Sequence, residues 1–492
     1  MLNFIKKNYL IIAIIIIAAF FRLYNIGGYM EFLGDQGRDV SIIRNFLTKG
    51  DLFFIGPQTS VGNMYLGPYF YYLIAPSLLL SNFSPLGPAI FIALINIATV
   101  FLIFLITKKW FDSKTAYIAA FLYAISPVVI KYSNFIWNPN IMPFFALLFI
   151  YFVSEALLHN KHKHLIYASL AFIMAINSHY LALALLLPAG LFWLFNLIKF
   201  IKSKSKEIKP FLINTLFAVI IFIISLTPQI LFDIKHNGQN IKSILTFFNH
   251  NDSGIKIKPF ETINKTPILF NQINTRLLAG KNETVGLIIS IIFIIGIIYI
   301  FSKKNLRPKI SNLYFVLVWY LSGLVSLVLY GQYINDHYLS FLFPAVFILI
   351  AYLISKNKVI GIPLFILITV FSLLNNPFRW SPNNQLRTDT QIADLIISNS
   401  NNQDFNFALL AKQNYDPPYR YILNSKKAKI VDLPQNLADQ LFVVCEPFKI
   451  DCNPINNPEW SIAAFGWAKI ENQWEISGIK VFKLVHNLDN KK

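Results

Sequence analysis

Apolar runs recur along most of the chain at lengths that suit a bilayer. Stretches near 8–26, 86–107, 113–131, 139–158, 164–180, 182–200, 210–232, 284–302, 312–331, 338–355 and 358–375 each fall in the window of about 17–25 residues that spans a hydrocarbon core. The pattern therefore predicts eleven transmembrane helices. One further run, 69–80 (YFYYLIAPSLLL), is too short and holds Pro76. If it crossed, every later basic connector would change sides, so it reads as a tyrosine-rich re-entrant or interfacial helix on the outer face.

The connectors set the orientation. Basic residues gather at Lys6-Lys7, at Lys108-Lys109, and in 159–164, 199–209, 302–309 and 356–358. With eleven spans all of these lie on the side of the N-terminus, which the positive-inside rule makes cytoplasmic. Composition agrees: the 492 residues are 55% hydrophobic and 14% charged, with 46 phenylalanines. The formal net charge of +19 resides in these connectors, not in a basic face or stripe, which argues against a nucleic-acid partner. The basic start and apolar run of the N-terminus resemble a signal peptide. No small-residue cleavage site follows, so an uncleaved first span is expected.

Polar segments are then assigned by elimination. Outer loops cover 27–85 and 233–283, and residues 1–377 form the transmembrane domain. From 378 to 492 the chain turns polar and Asn-rich, with a helical run at 388–398 and strand-like runs at 405–410, 441–445 and 478–484. A small extracytoplasmic α/β domain of about 110 residues fits. The two cysteines, Cys445 and Cys452, could pair there if the compartment is oxidising.

The first outer loop carries the densest polar chemistry. Gly34-Asp35-Gln36-Gly37-Arg38-Asp39 places two carboxylates and a guanidinium directly after the first span. Residues 36–49 have apolar positions at Val40, Ile43 and Leu47, the spacing of an amphipathic helix. Asp35 is expected at its N-cap, where it could serve only the helix. The shaped segments that follow, Gly56-Pro57, Gly62-Asn63-Met64-Tyr65 and Gly67-Pro68-Tyr69, suggest the wall of a site.

The order of elements is the recognisable feature. FRLYNIG ends the first span, FLGDQGRD follows, then a Leu-Gly-Pro-Tyr-Phe-Tyr-Tyr-Leu helix and a late HYLSFLFP. This order resembles the GT-C glycosyltransferases. More narrowly it resembles the bacterial protein-mannosyltransferase-like family (family 39), related to the lipid A aminoarabinose transferases. The resemblance covers about residues 8–375. Members carry Asp-Glu in the first loop; here Gln36 follows Asp35, which makes Asp39 the natural substitute for the second acid.

The resemblance implies a sugar donor linked to polyprenyl phosphate and an inverting displacement at the anomeric carbon. The acceptor would be a lipid, a protein or a glycan at the outer face of a bacterial cytoplasmic membrane. Asp35 is then the candidate base. Arg38, Arg44, Arg276 and His337 are candidates for the leaving phosphate. His337-Tyr338 matches the family's basic residue and tyrosine before a proline-containing helix. Asn63, Tyr65, Asn138, His179 and Tyr338 are candidate substrate contacts, since amides and phenols both donate and accept. Trp137 also suits interface anchoring, His337 an interfacial histidine wetted by headgroups, and His179 interhelical bonding.

No ATP-binding or dinucleotide loop is present, so no cofactor is expected. Asp35 and Asp39 could take a hard cation, but the family resemblance implies a metal-free branch. The alternative function is a transporter or flippase of a lipid-linked precursor. Transporters place ionisable residues at the midplane and often show inverted repeats, and neither is visible here.

Overall fold

Proline and chain length decide how the apolar runs fold. The computed structural model describes residues 2–60, 62–249, 259–302, 310–330, 333–446 and 452–487. Among these, seven helices are long and apolar enough to cross a membrane: Leu86–Trp110, Asn138–Leu158, Tyr180–Lys202, Ile208–Lys235, Glu283–Ser302, Asn312–Tyr330 and Asp336–Lys356. Three more expected spans are shorter apolar helices, Asn8–Leu23, His164–Ser178 and Lys358–Leu374.

The remaining one, 113–131, is broken into Ser113–Ile125 and Pro127–Lys131. Pro127 disfavours helical geometry at the residue before it, and Ser126 is extended at ψ 124°. The Ser126 hydroxyl then donates to the Leu277 carbonyl at 3.0 Å. The helix Tyr69–Leu80 has 12 residues, about 18 Å at 1.5 Å per residue, well short of a bilayer core of about 30 Å.

Contacts divide the chain into two units. The first comprises Met1–Tyr24, Leu52–Ile74 and Ile90–Ser381. Its central element is Asp336–Lys356, almost wholly buried, whereas Ile208–Lys235 is largely exposed, as a lipid-facing helix should be. The basic connectors of this unit meet at one end. Lys109 and Lys161 both pair with the buried Glu155 at 2.8 Å. His162 reaches Glu207 at 2.9 Å, and Lys356 reaches Asp112 at 2.7 Å. The Asn312 amide donates to the Trp110 carbonyl at the same end. Residues 303–309 of another basic connector, 250–258 of the second outer loop, and the Lys6 and Lys7 side chains lie outside the described residues.

The second unit comprises Asn25–Asp51, Ala75–Ala89 and Pro382–Lys492. The polar C-terminal region thus takes the first-loop helix with it, where the chain sequence drew a boundary at 378. Four strands form one sheet, β1 (Asn406–Leu410), β2 (Gln440–Cys445), β3 (Ala468–Ile476) and β4 (Ile479–His486), in the order β1-β2-β4-β3. β1 and β2 are parallel, and the helix Pro417–Ser425 lies between them in the chain. The other pairings are antiparallel.

Three strands fall on the expected runs. β3 was not legible because it is an exposed edge strand whose polar residues, Lys469, Glu471, Asn472, Gln473 and Glu475, hide the alternation. It turns into β4 through Ser477 and Gly478, with φ of 52° and 81°, the positive values a tight two-residue hairpin turn needs. A disulfide joins Cys445, at the end of β2, to Cys452.

Candidate active site

The first-loop helix runs Gly34–Lys49, and its N-cap is Leu33. Asp35 is therefore not the cap, contrary to expectation. Other residues perform that task. The Gln36 side chain accepts from the Leu33 N–H at 2.9 Å, and Asn414 Oδ1 accepts from the Gly34 N–H at 3.0 Å. Together these satisfy donors that a helix start leaves without partners. Gln36 is thus committed to helix geometry, and Asp35 is released from it. Val40 and Ile43 are fully buried, as the periodicity predicts, and Leu47 is half-buried.

The two carboxylates have different environments. Asp39 is 0% exposed and binds Arg38 through Nε at 2.9 Å and Nη2 at 2.8 Å. Asp35 keeps 34% of its side chain exposed and touches Arg38 Nη1 at 3.0 Å through Oδ1. Asp39 aims the guanidinium, and Asp35 is the acid that an incoming molecule can reach. The Tyr415 hydroxyl donates to the same Oδ1 at 3.0 Å. Burial and the Asp35 charge raise the Tyr415 phenol above its ordinary value, so it remains a donor at neutral pH.

Glycine permits this packing. A Cβ on Gly34 would stand 2.1 Å from the Tyr415 ring, and one on Gly37 would stand 2.3 Å from the Pro418 nitrogen. Arg44 lies nine residues beyond Asp35, about 13.5 Å along the helix axis. It covers the Phe83 ring at 5.7 Å and does not join the carboxylate cluster.

In the first unit, four of the expected residues converge. The His337 ring is 4.4 Å from Trp137 and 6.0 Å from His179, and His179 is 5.0 Å from Tyr338. The Asn138 amide, which is buried, donates to the Ser178 carbonyl at 2.7 Å. Arg276 is engaged by the Ile334 carbonyl at 2.6 Å and by Asp336 at 3.5 Å, where Lys281 also pairs at 2.7 Å. The loop after Leu52 closes on itself, with the Gly56 N–H bonded to the Leu66 carbonyl. The Tyr65 N–H is held by Asn240 and its carbonyl by the Tyr180 hydroxyl, while its side chain is half-buried. Asn63 is exposed in the turn of that loop.

Sequence reading missed Asn414 and Tyr415. Their segment, Asn414-Tyr415-Asp416-Pro417-Pro418, announces a turn and a helix start. Nothing local shows that it contacts residues 380 positions earlier.

Residues 66–227 match the family model described as dolichyl-phosphate-mannose-protein mannosyltransferase. The crystal structure of ArnT from Cupriavidus metallidurans bound to undecaprenyl phosphate superposes with a TM-score of 0.62 at 11% identity, covering 97% of this chain and 98% of that one. The chain has the GT-C fold. The apo state of the same ArnT gives a TM-score of 0.60 at 11% identity, with 98% of each chain covered. No curated protein matches the sequence. The GT-C likeness extends over the C-terminal region as well as the spans, further than the resemblance expected from residues 8–375. The family model begins at Leu66, so the roles of residues 34–39 rest on the geometry of this chain.

Proposed function

We propose that the protein is a membrane glycosyltransferase that moves a sugar from a polyprenyl-phosphate donor to a hydroxyl on a lipid, protein or glycan, with inversion. The single observation that carries this reading is Asp35. It is a half-exposed carboxylate on the first turn of the first-loop helix, braced, among the described residues, through Oδ1, in a chain of GT-C fold.

In the proposed step the acceptor oxygen attacks the anomeric carbon as the bond from that carbon to the phosphate oxygen breaks. The bonding electrons leave with the polyprenyl phosphate, and the acceptor proton passes to Asp35 Oδ2. Arg38 is the cation beside that carboxylate, and cations near the departing phosphate lower the barrier. The His179–His337–Tyr338 group is proposed as a sugar- or phosphate-binding surface within its own unit. The ArnT complex with undecaprenyl phosphate supports a polyprenyl-phosphate ligand. The shared end of the basic connectors supports a cytoplasmic assignment for that end, and the disulfide supports an oxidising, extracytoplasmic setting for the C-terminal region.

The test is transfer of radiolabelled sugar from polyprenyl phosphate in membranes holding wild type or Asp35→Asn. Loss of a general base should lower the rate by about 10²–10⁴-fold. Full transfer by the variant would remove Asp35 from the base role. No transfer by the wild type across a panel of donors would remove the glycosyltransferase reading and leave a carrier of lipid-linked precursors.

A further inference from the structure

The C-terminal region contributes directly to the first-loop cluster. Between β1 and the helix Pro417–Ser425, the chain presents Asn414 and Tyr415 to the start of the first-loop helix. Asn414 Oδ1 accepts from the Gly34 N–H at 3.0 Å and from the Tyr415 N–H at 2.9 Å. Its amide nitrogen donates to Glu446 Oε1 at 2.8 Å, where the Tyr419 hydroxyl also donates at 2.9 Å. Glu446 follows directly on β2, and its N–H is bonded to the Leu410 carbonyl at the end of β1. The helix start that carries Asp35 is therefore tied to the sheet through side chains, each held by another.

Tyr415 completes the arrangement. Its ring lies over Gly34 and its hydroxyl reaches Asp35 Oδ1. Arg38 Nη1 reaches the same oxygen. Among the described residues, no hydrogen bond is made by Oδ2. Two donors on one oxygen fix the carboxylate plane and leave the other oxygen available to an acceptor hydroxyl.

We propose that Tyr415, anchored by Asn414, is a positioning residue that orients the Asp35 carboxylate so that Oδ2 faces the acceptor proton. The proposal rests on the reading of Asp35 as the base. It assigns the C-terminal region a part in the chemical step, beyond any part in choosing acceptors. Geometry of this kind acts on turnover more than on ground-state binding, because proton acceptance matters only as the new bond forms.

The test compares wild type, Tyr415→Phe, Asp35→Asn and the double variant, as full-length protein in lipid, with donor-dependent transfer and the unfolding midpoint recorded for each. Tyr415→Phe keeps the ring on Gly34 and removes only the hydroxyl. The expected result is a fall in kcat on the order of ten-fold, a KM for the donor within about two-fold of wild type, and an unchanged midpoint. The double variant should match Asp35→Asn alone. Unchanged kcat in Tyr415→Phe, with transfer lost in Asp35→Asn, would overturn the positioning role and leave the base assignment intact. An equal further loss in the double variant would also overturn it, since a merely structural hydroxyl acts whether or not the carboxylate is present. Full transfer by Asp35→Asn would overturn the base assignment and this proposal together.

Discussion

Replacing Gly37 with alanine is a sharp test of the packing beneath Asp35, because two effects of opposite sign compete. Inside a helix, alanine is favoured over glycine by about 1 kcal/mol. In isolation the substitution would therefore stabilise the first-loop helix. The structure reverses that expectation. The new Cβ would stand 2.3 Å from the Pro418 nitrogen and 2.6 Å from both the Pro417 carbonyl carbon and Pro418 Cα, whereas ordinary contact begins at 3.4 Å.

The shortfall is about 1.1 Å against the closest of these atoms, and all three are backbone. No side chain can swing aside, and two consecutive prolines stiffen the segment. Overpacking of this kind costs about 1–3 kcal/mol, and a rigid backbone puts it in the upper half of that range. Subtracting the propensity gain leaves a net destabilisation of about 1–2 kcal/mol.

The assay is the unfolding midpoint of the purified protein, with Gly190→Ala as control. Gly190 lies in the helix Leu186–Lys202, and its Cβ would meet nothing within 4 Å. The control should hold or raise the midpoint while Gly37→Ala lowers it. Because the helix must shift to relieve the clash, transfer by Gly37→Ala should fall as well. A raised midpoint with normal transfer would show that the Gly37–Pro418 approach does not exist in the working protein.

Two further outcomes follow from the C-terminal region. Asp389 is 4% exposed, and its carboxyl is held well above the ordinary range by burial and by the Glu446 charge, with a Tyr419 hydrogen bond opposing. A raised folded value means that the native state binds the proton more tightly than the unfolded chain. The associated stability is complete below about pH 4 and is lost as pH rises through the folded value. Asp389→Asn should therefore flatten the pH dependence of the midpoint and raise the midpoint on the alkaline side, and an unchanged slope would refute the assignment. Removing the disulfide by Cys445→Ser with Cys452→Ser opens a short loop, since the cysteines are 7 positions apart. Chain entropy values that closure at about 2.5 kcal/mol, so the midpoint should fall in the double variant and should fall equally when wild type is reduced.

Deleting the chain beyond 378 tests the C-terminal region as a whole. It would strip Asn414 from the Gly34 N–H, Tyr415 from Asp35, and the Pro417–Pro418 backbone from Gly37. Donor hydrolysis and transfer should then fall together.

Much of this protein is legible in one dimension because a bilayer is a simple solvent. Apolar length alone marks a span, and charge in short connectors alone marks a side. The ion pairs of Lys109, Lys161, His162 and Lys356 bring those connectors together at one end of the first unit. The face of the first-loop helix was equally legible, since Val40 and Ile43 follow the 3.6-residue period. Ser126-Pro127 carried a local signal for its break, masked by the apolar residues on either side.

Tertiary structure decided how exposed each acid is. Asp35 and Asp39 are alike by composition and four residues apart, yet one is buried on Arg38 and the other half-exposed. That difference depends on what packs against the helix. The partners, Asn414, Tyr415 and Pro418, lie some 380 residues away in the chain, and no periodicity or propensity spans that distance. Likewise Gly34 and Gly37 proved to be the space that a second chain segment occupies. Local pattern set most of the elements, and long-range packing chose which carboxylate an incoming molecule can reach.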